Sequence, residues 1–185
     1  AVTGYRLEGY GYLNSVLTMG GFVGLNKGLI TDSSTDIRQI KFSNDHSTGV
    51  IGGFVGRNEG AISNSYSAGE IAVSYATNST VTIAGFAAEN TSTLYYCYAG
   101  VALMPSGNAK AYGFAPASSG ITNCLYLDGG TFSYADTLRS FNTSTNVDRA
   151  NAGGTAISGM NLTQENLAGF GFAKDAARTL FHPET

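Results

Sequence analysis

The sequence lacks tryptophan and is poor in proline, cysteine, histidine and charge. Of its 185 residues, 3 are Pro, 2 are Cys, 2 are His and 12% are charged. Two cysteines are too few for a disulfide-rich scaffold. The 10 Lys and Arg residues are scattered singly and the formal net charge is −3, so we expect no nucleic-acid partner. No apolar run reaches the ~18 residues of a membrane span, and we expect no membrane insertion.

The scarcity of histidine argues against the common hydrolytic sites. A zinc peptidase helix needs the spacing His-Glu-x-x-His, and a Ser or Cys triad needs a histidine base held by a carboxylate. His46 lies in the polar segment SNDHSTG, and His182 precedes a proline near the end of the sequence. We therefore predict that this chain is not itself an enzyme and has no cofactor, metal site or catalytic residue.

Carboxylates are the remaining route to catalysis or to a metal site. The candidate pairs for acid–base cleavage of a polysaccharide are Asp32 with Asp36 and Glu59 with Glu89. The candidate Ca²⁺ ligands are Asp32, Asp36, Asp45 and Asp128. None recurs at stacked positions and the spacing matches no calcium loop, so we favour ordinary turn and surface roles.

Glycine and aromatic residues are abundant, and they recur at regular intervals. The chain has 25 Gly, 11 Tyr and 10 Phe, which suits strands joined by tight turns. The string GGFVGLNKG, which begins at Gly20, returns as GGFVGRNEG at Gly52, and weaker copies follow. The phenylalanines that anchor the copies are Phe22, Phe54, Phe86 and Phe114, so their numbers differ by 32, 32 and 28. Such a period is typical of a stacked repeat architecture.

The second copy shows what each repeat forms. Three short apolar or alternating runs are separated by polar and glycine-containing turns, and helical spacing is absent. We predict an all-β, three-sided parallel β-solenoid of about four coils. Its units are expected near 20–51, 52–83, 84–111 and 112–126, within a solenoid domain spanning 1–126.

The segment 127–185 carries no repeat, and we predict that it caps the last coil. Short helices are expected at 134–141 and around 163–167, with Phe170 and Phe172 packed against that coil. The N-terminal side has no comparable cap before Gly20. We therefore expect the chain to be part of a longer protein, with another coil or domain at that end.

Stacking assigns a role to the repeated residues. Phe22, Phe54, Phe86 and Phe114 are predicted to form one inward ladder, and Asn26, Asn58 and Asn90 a second ladder at a corner. Gly28, Gly60 and Gly120 fall at turns, where we expect positive φ. Cys97 and Cys124 align with Ser33 and Ser65 on adjacent coils. Either a strained disulfide or two buried thiols fits that placement, and we favour the thiols.

Tyrosines supply a candidate contact surface. In a strand pair such as Tyr95 and Tyr96, one ring must face outward. Tyr66, Tyr95 and Tyr96, together with outward Ser, Thr and Asn, are candidates for contacting a sugar or a protein. The alternative is that they are ordinary surface tyrosines.

The repeat resembles a known family. The string GGFVGRNEGAISNSYSAG is similar to the GLUG repeat, whose pattern is roughly G-G-[LF]-V-G-x-N-x-G-x-I-x-N-[SC]-Y-x-x-G. Matching positions in the second copy are Gly52, Gly53, Phe54, Val55, Gly56, Asn58, Gly60, Ile62, Asn64, Ser65, Tyr66 and Gly69. The third copy departs at Ala88 and Ser92, where the second has Gly56 and Gly60.

The resemblance implies a secreted or cell-wall-attached bacterial protein. GLUG repeats occur in non-catalytic regions of immunoglobulin A zinc metallopeptidases and in adhesin-like surface proteins. It therefore implies a spacer with an adhesive or ligand-contact surface, for which a host glycoprotein or glycan is the expected partner. The alternative is an accessory domain that docks the substrate of a metallopeptidase cleaving immunoglobulin A.

Overall fold

A computed structural model describes residues 2–43, 46–74, 78–129, 131–134, 137–140 and 147–157. The elements of these residues are all β-strands, joined by turns. Within the same ranges, no helix is long and apolar enough to cross a bilayer.

The chain winds through four coils of four strands each. Two strands precede the first coil: β1 (Val2–Thr3) and β2 (Arg6–Tyr10). The first coil contains β3 (Val16–Gly20), β4 (Val23–Asn26), β5 (Leu29–Thr31) and β6 (Ser34–Ser43). The second contains β7 (Thr48–Gly52), β8 (Val55–Asn58), β9 (Ala61–Ser63) and β10 (Tyr66–Ser74).

The later coils repeat this order with shorter strands. The third coil contains β11 (Thr80–Ala84), β12 (Ala87–Asn90), β13 (Leu94–Tyr95) and β14 (Tyr98–Met104). The fourth contains β15 (Lys110–Tyr112), β16 (Ala115–Pro116), β17 (Ile121–Thr122) and β18 (Leu125–Leu127). After it come β19 (Thr131–Tyr134), β20 (Thr137–Ser140), β21 (Ala152–Gly153) and β22 (Thr155–Ile157).

Strands at equivalent points of successive coils pair in parallel and form four faces. Face 1 consists of β3, β7, β11 and β15, face 2 of β4, β8 and β12, and face 3 of β5, β9, β13 and β17. Face 4 consists of β6, β10, β14 and β18, extended by β1, β2 and β22. In face 1, Thr48 lies in register between Val16 and Thr80. This stacking confirms the predicted all-β parallel solenoid of about four turns.

Each coil contains four strands where the sequence predicted three. The apolar run Ile51–Val55 is split, because β7 ends at Gly52 and β8 begins at Val55. The backbones of stacked coils come so close here that a Cβ on Gly53 would lie 2.1 Å from the carbonyl oxygen of Gly85. The Gly-Gly pair therefore permits a close approach and a change of direction, and it separates face 1 from face 2.

Two large buried clusters fill most of the interior in the described part of the solenoid. One surrounds Phe42, Ile51 and Ile83 on faces 1 and 4, and the other surrounds Phe86 and Leu94 on faces 2 and 3. Each of these five residues has a solvent-exposed fraction of 0%. Burying each stabilises the fold by about 1.5–3 kcal/mol relative to leaving it in water.

The glycines at the turns have a different role from the predicted one. Gly28, Gly60 and Gly120 do not have positive φ, so that prediction was wrong. A Cβ on Gly60 would lie 2.1 Å from the carbonyl oxygen of Gly28, and a Cβ on Gly120 would lie 2.2 Å from that of Ser92. Glycine is needed at these two positions because the preceding coil passes too close for a side chain.

Part of the segment after the solenoid covers the last coil. Val147 bridges Ala111, β21 pairs antiparallel with β16, and β22 pairs parallel with β18. The helix predicted at 134–141 was wrong, because β19 and β20 form an antiparallel hairpin. The helix predicted around 163–167, together with Phe170, Phe172 and His182, lies outside the described residues.

Candidate contact surface

One corner of the solenoid carries a column of residues in the left-handed backbone conformation. Asp32, Asn64, Tyr96 and Asn123 have φ values of 50°, 48°, 49° and 51°, and each lies just after a face 3 strand. Asn and Asp adopt this conformation more readily than other residues, whereas a bulky side chain does so rarely. Tyr96 therefore holds a strained backbone in a column otherwise built from Asn and Asp.

A row of small polar side chains holds this corner from the inside. Ser33, Ser65, Cys97 and Cys124 follow the corner residues, and each donates to the carbonyl oxygen two residues earlier, at 2.9, 2.8, 3.5 and 3.3 Å. Because the same bond recurs in every coil, the turn is repeated four times with nearly constant geometry.

The two cysteines are free buried thiols, as the sequence analysis favoured. Each Sγ also approaches a carbonyl oxygen on the preceding coil, Cys97 that of Ile62 at 3.7 Å and Cys124 that of Leu94 at 3.4 Å. Burial raises the pKa of the Cys97 thiol well above its usual range. The pair therefore belongs to the interior wall of the corner.

An aromatic pair lies on the outside of the same corner. The rings of Tyr95 and Tyr96 meet edge to face, with centroids 4.3 Å apart and planes inclined at 74°. Tyr95 is 45% exposed. A hydrogen bond with Tyr96 raises the pKa of the Tyr95 phenol, and a weaker opposing effect comes from its bond with Asn123. Two phenols and an amide therefore form one connected polar group beside an accessible ring.

Tyr66 does not belong to this surface. It was predicted as a contact residue, but only 9% of it is exposed. Tyr66 begins β10, where it lies in register between Ser34 and Tyr98, so strands flank it on both sides. Tyr95, in contrast, ends a two-residue strand at a corner, where its ring reaches solvent.

The two predicted ladders lie inside the solenoid. The rings of Phe22, Phe54, Phe86 and Phe114 stack with centroid separations of 4.9, 4.7 and 5.0 Å. Asn26 donates from Nδ2 to Oδ1 of Asn58 at 2.8 Å, and Asn58 donates to Asn90 in the same way at 2.8 Å. Asn90 donates to Ser118 Oγ at 3.0 Å. These residues hold adjacent coils together.

Several of the candidate catalytic carboxylates and candidate calcium ligands form bonds between or beside coils. Glu59 lies 3.8 Å from Lys27, and Glu89 lies 2.5 Å from Arg57. Asp32 accepts from Asn64, and Asp128 lies 2.7 Å from Arg149. Asp45 is outside the described residues, and His46 is exposed at a turn with φ of 63°. Within the described ranges, no three His, Cys, Asp or Glu side chains are grouped so as to hold a metal.

The corner column was missed in the sequence. Asn123 was not singled out, and Asp32 and Asn64 were not connected with Tyr96. The signal was present, because the residue before each aligned Ser or Cys is Asp, Asn, Tyr and Asn in turn. Tyr96 is the one residue of this column whose type is unfavourable in the left-handed conformation that all four residues adopt.

Comparisons of the chain with protein-family models, with curated proteins and with solved structures gave no match. The resemblance to the GLUG repeat therefore stays a prediction, and what is shown is a parallel β-solenoid of about four turns.

Proposed function

We propose that this chain is a non-catalytic solenoid module of an exported bacterial surface protein, and that it binds carbohydrate on host glycoproteins at the corner formed by Tyr95, Tyr96 and Asn123. The observation that carries the proposal is the exposed edge-to-face pair, one member of which sits in a strained left-handed conformation. Strain of this kind concentrates at functional sites, because a side chain is kept there despite its cost to the backbone.

The chemistry of the corner suits a sugar. A pyranose presents polarised C–H groups on one face and hydroxyls around its edge. The negative face of an aromatic ring attracts such C–H groups, and Tyr95 offers an accessible ring. The phenols and the Asn123 amide provide both donors and acceptors for hydroxyls. Because the described residues at this corner include one carboxylate, Asp32, which already accepts from Asn64, we expect a neutral ligand rather than a cation.

The solenoid itself provides a rigid spacer. Four coils at about 4.8 Å each give a rod of roughly 19 Å along the stacking axis. The corner column runs along this axis, so that consecutive coils present consecutive side chains to an extended ligand. Export and surface attachment are supported by the resemblance of the repeat to GLUG sequences.

The test is binding of the isolated chain to an immobilised panel of neutral and acidic glycans, followed by calorimetry with the best ligand. We expect Tyr95→Ala to weaken binding at least about tenfold, as the loss of a central aromatic contact does at other interfaces. Tyr12→Ala is the matched control, because Tyr12 is 81% exposed but lies outside the corner. No binding to any glycan at tens of micromolar, or an equal effect of both variants, would refute the proposal.

A second variant distinguishes the contribution of the Tyr96 ring to binding from the effect of its backbone strain on stability. Tyr96→Asn places at this position the residue type found at Asn64 and Asn123 in the same column. We expect it to keep or raise the melting temperature while weakening glycan binding. Intact and deglycosylated immunoglobulin A and mucin complete the panel. Binding that survives deglycosylation would replace the carbohydrate proposal with docking of a protein substrate.

A further inference from the structure

The two ends of the solenoid differ in how they are closed. At the C-terminal end Phe114 is 0% exposed, and residues 147–157 pass beside it; a Cβ on Gly154 would lie 3.3 Å from Phe114 Cγ. At the N-terminal end β3, β4 and β5 are the last strands of faces 1, 2 and 3. Their outer edges therefore present backbone groups to which another strand can pair.

The inward rows of faces 2 and 3 are also open at this end, whereas Met19 on face 1 is buried and the Tyr5 hydroxyl donates to the Gly21 carbonyl. Phe22 stacks on Phe54 through one ring face and is 36% exposed, whereas the other three rings of its ladder are 0% exposed. Val23 and Ile30 are partly exposed, although the next residues in their rows, Val55 and Ile62, are buried. Leu25 and Leu29, on the outer side of the same coil, are 43% and 73% exposed.

Gly28 is the most specific sign that a further coil fits at this end. The equivalent Gly60 and Gly120 are needed because a carbonyl of the preceding coil passes about where a Cβ would lie, whereas the third coil has Ser92 there. A Cβ on Gly28 would meet nothing within 4 Å. The first coil therefore also has a glycine where a preceding backbone would pass, although no described residue lies in that space.

Face 4 shows which way a further coil would run. β1 and β2 already lie on β6 in parallel register, with Val2 beside Thr35 and Arg6 beside Gln39. They occupy the position of the fourth strand of a further coil. In the first coil, β5 on face 3 leads directly into β6 on face 4, so a strand lying on β5 would lead into β1 in the same way.

We infer that the N-terminal end binds a further coil of the same repeat pattern, contributed by polypeptide that leads into β1. This coil places an aromatic ring on the open face of Phe22. It directs an amide Nδ2 toward Oδ1 of Asn26, as Asn26 does toward Asn58. Its backbone donates to the carbonyl of Phe22, as the amides of Phe22 and Val23 do to that of Phe54. The inference goes beyond the carbohydrate-binding proposal and does not depend on it.

The test supplies such a coil from the chain itself. Thr48–Tyr66, which includes β7, β8 and β9, is fused directly before Val2 in place of Ala1. The register is fixed because Val2 and Ser67 both align with Thr35. We expect the melting temperature to rise by about 5 °C or more. We also expect hydrogen exchange of the β4 amides to slow at least about tenfold. Neither gain should appear when the fused copy carries Phe54→Ala and Asn58→Ala.

Gly28→Ala provides the matched control for stacking. In the unfused chain it should change the melting temperature by no more than about 1 °C, because the new methyl group meets open space. In the fusion it should remove more than half of the gain, because the methyl group then meets the added backbone. If the fusion does not fold, the synthetic peptide Thr48–Tyr66 is added to the unfused chain and exchange of the β4 amides is measured.

Two results would overturn the inference. One is that neither the fused coil nor the peptide protects β4. The other is that the unfused chain forms a dimer in light scattering and that dimerisation itself protects β4, which would make a second copy the occupant.

Discussion

Phe22 and Phe54 are the same residue at the same point of consecutive coils, yet their energetic roles differ. Phe54 is stacked on both faces and is 0% exposed, whereas Phe22 is stacked on one face and is 36% exposed. In a solenoid, a residue's contribution therefore depends on how many coils cover it as well as on its place within the repeat.

Truncating these two rings tests that dependence. Phe54→Ala should lower the free energy of unfolding by about 3–5 kcal/mol, because a cavity opens in the middle of the ladder. Phe22→Ala should cost less than about 2 kcal/mol, because its ring has lost less contact with water. Urea denaturation followed by far-ultraviolet circular dichroism measures both. Equal losses would contradict the stacked arrangement.

Tyr98 should make stability depend on pH above the neutral range. Burial raises its pKa well above the ordinary value. An unfolded tyrosine ionises near pH ~10. Below that pH, Tyr98 is protonated in both the folded and the unfolded chain, and its burial contributes fully to the free energy of unfolding. Above that pH, the unfolded chain loses the phenol proton that the folded chain retains. The free energy of unfolding therefore falls as pH rises. Denaturation at pH ~8 and pH ~11 should show a smaller loss for Tyr98→Phe than for the unaltered chain. An identical loss in the two proteins would contradict this.

Residue identity predicted the interior better than the surface. The Phe and Asn ladders follow from exact repetition, since a residue that recurs every coil must lie on its own copy. Tyr66 recurs as Tyr98, and this repetition was itself a signal of a packed row that exposure-based reasoning missed. The prediction of positive φ at Gly28, Gly60 and Gly120 was wrong. A glycine at a turn is needed either for a positive φ or for close approach of another backbone, and the sequence alone does not distinguish these two roles.

At the scale of the element, the corner between faces 3 and 4 shows how a short turn is repeated without a conserved side chain. Its inner positions are Ser33, Ser65, Cys97 and Cys124, which share a small donor that bonds a carbonyl two residues earlier. Its outer positions share a backbone conformation. Serine and cysteine are therefore interchangeable here in a physical sense.

Because serine and cysteine are equivalent here, we expect Cys97→Ser to change the free energy of unfolding only slightly. We also expect the thiols of the folded chain to react slowly with a disulfide reagent. The hydroxyl should replace the thiol in its bond to the carbonyl of Tyr95, with a loss of less than about 1.5 kcal/mol. In the folded chain an aromatic disulfide reagent should react slowly with Cys97 and Cys124, since both side chains are buried and out of its reach; burial also raises the pKa of the Cys97 thiol, whereas a hydrogen bond with Cys97 lowers the pKa of Cys124. Both thiols should react at once in denaturant. Fast reaction in the native state would show that the corner opens.

Strand boundaries were the least predictable elements. Alternation in the second copy identified β9 and β10, but the Gly-Gly pair concealed the break between β7 and β8. The pattern YADTLRSF has helix-compatible spacing, yet Thr137–Ser140 pairs with Thr131–Tyr134. Tertiary pairing overrides local propensity in such short segments. Tyr95 and Tyr96 were singled out because adjacent strand residues cannot both point inward, but Tyr96 lies at the turn after β13 and the two rings meet on the outside of the corner.

At the scale of the whole molecule, stability is approximately a sum of coil terms and coil–coil interfaces, so the ends matter most. Among the described residues, a short path closes the C-terminal end: Val147 continues face 1, β21 lies along β16, and β22 continues face 4. This path covers Phe114 and the edges of three strands with few residues. Its removal should therefore have effects out of proportion to its length.

Two truncations test this closure. Ending the chain after Asp128 removes β21, β22 and Val147, which exposes the open face of the Phe114 ring and the edges of β15, β16 and β18. We expect oligomers or aggregates in light scattering, because unpaired edge strands add to other chains. Ending the chain after Ile157 is the matched control, since it keeps the three closing contacts, and it should remain as monomeric as the full chain. If the shorter chain also stays monomeric with an unchanged melting temperature, residues 147–157 do not close the solenoid and act only as a linker.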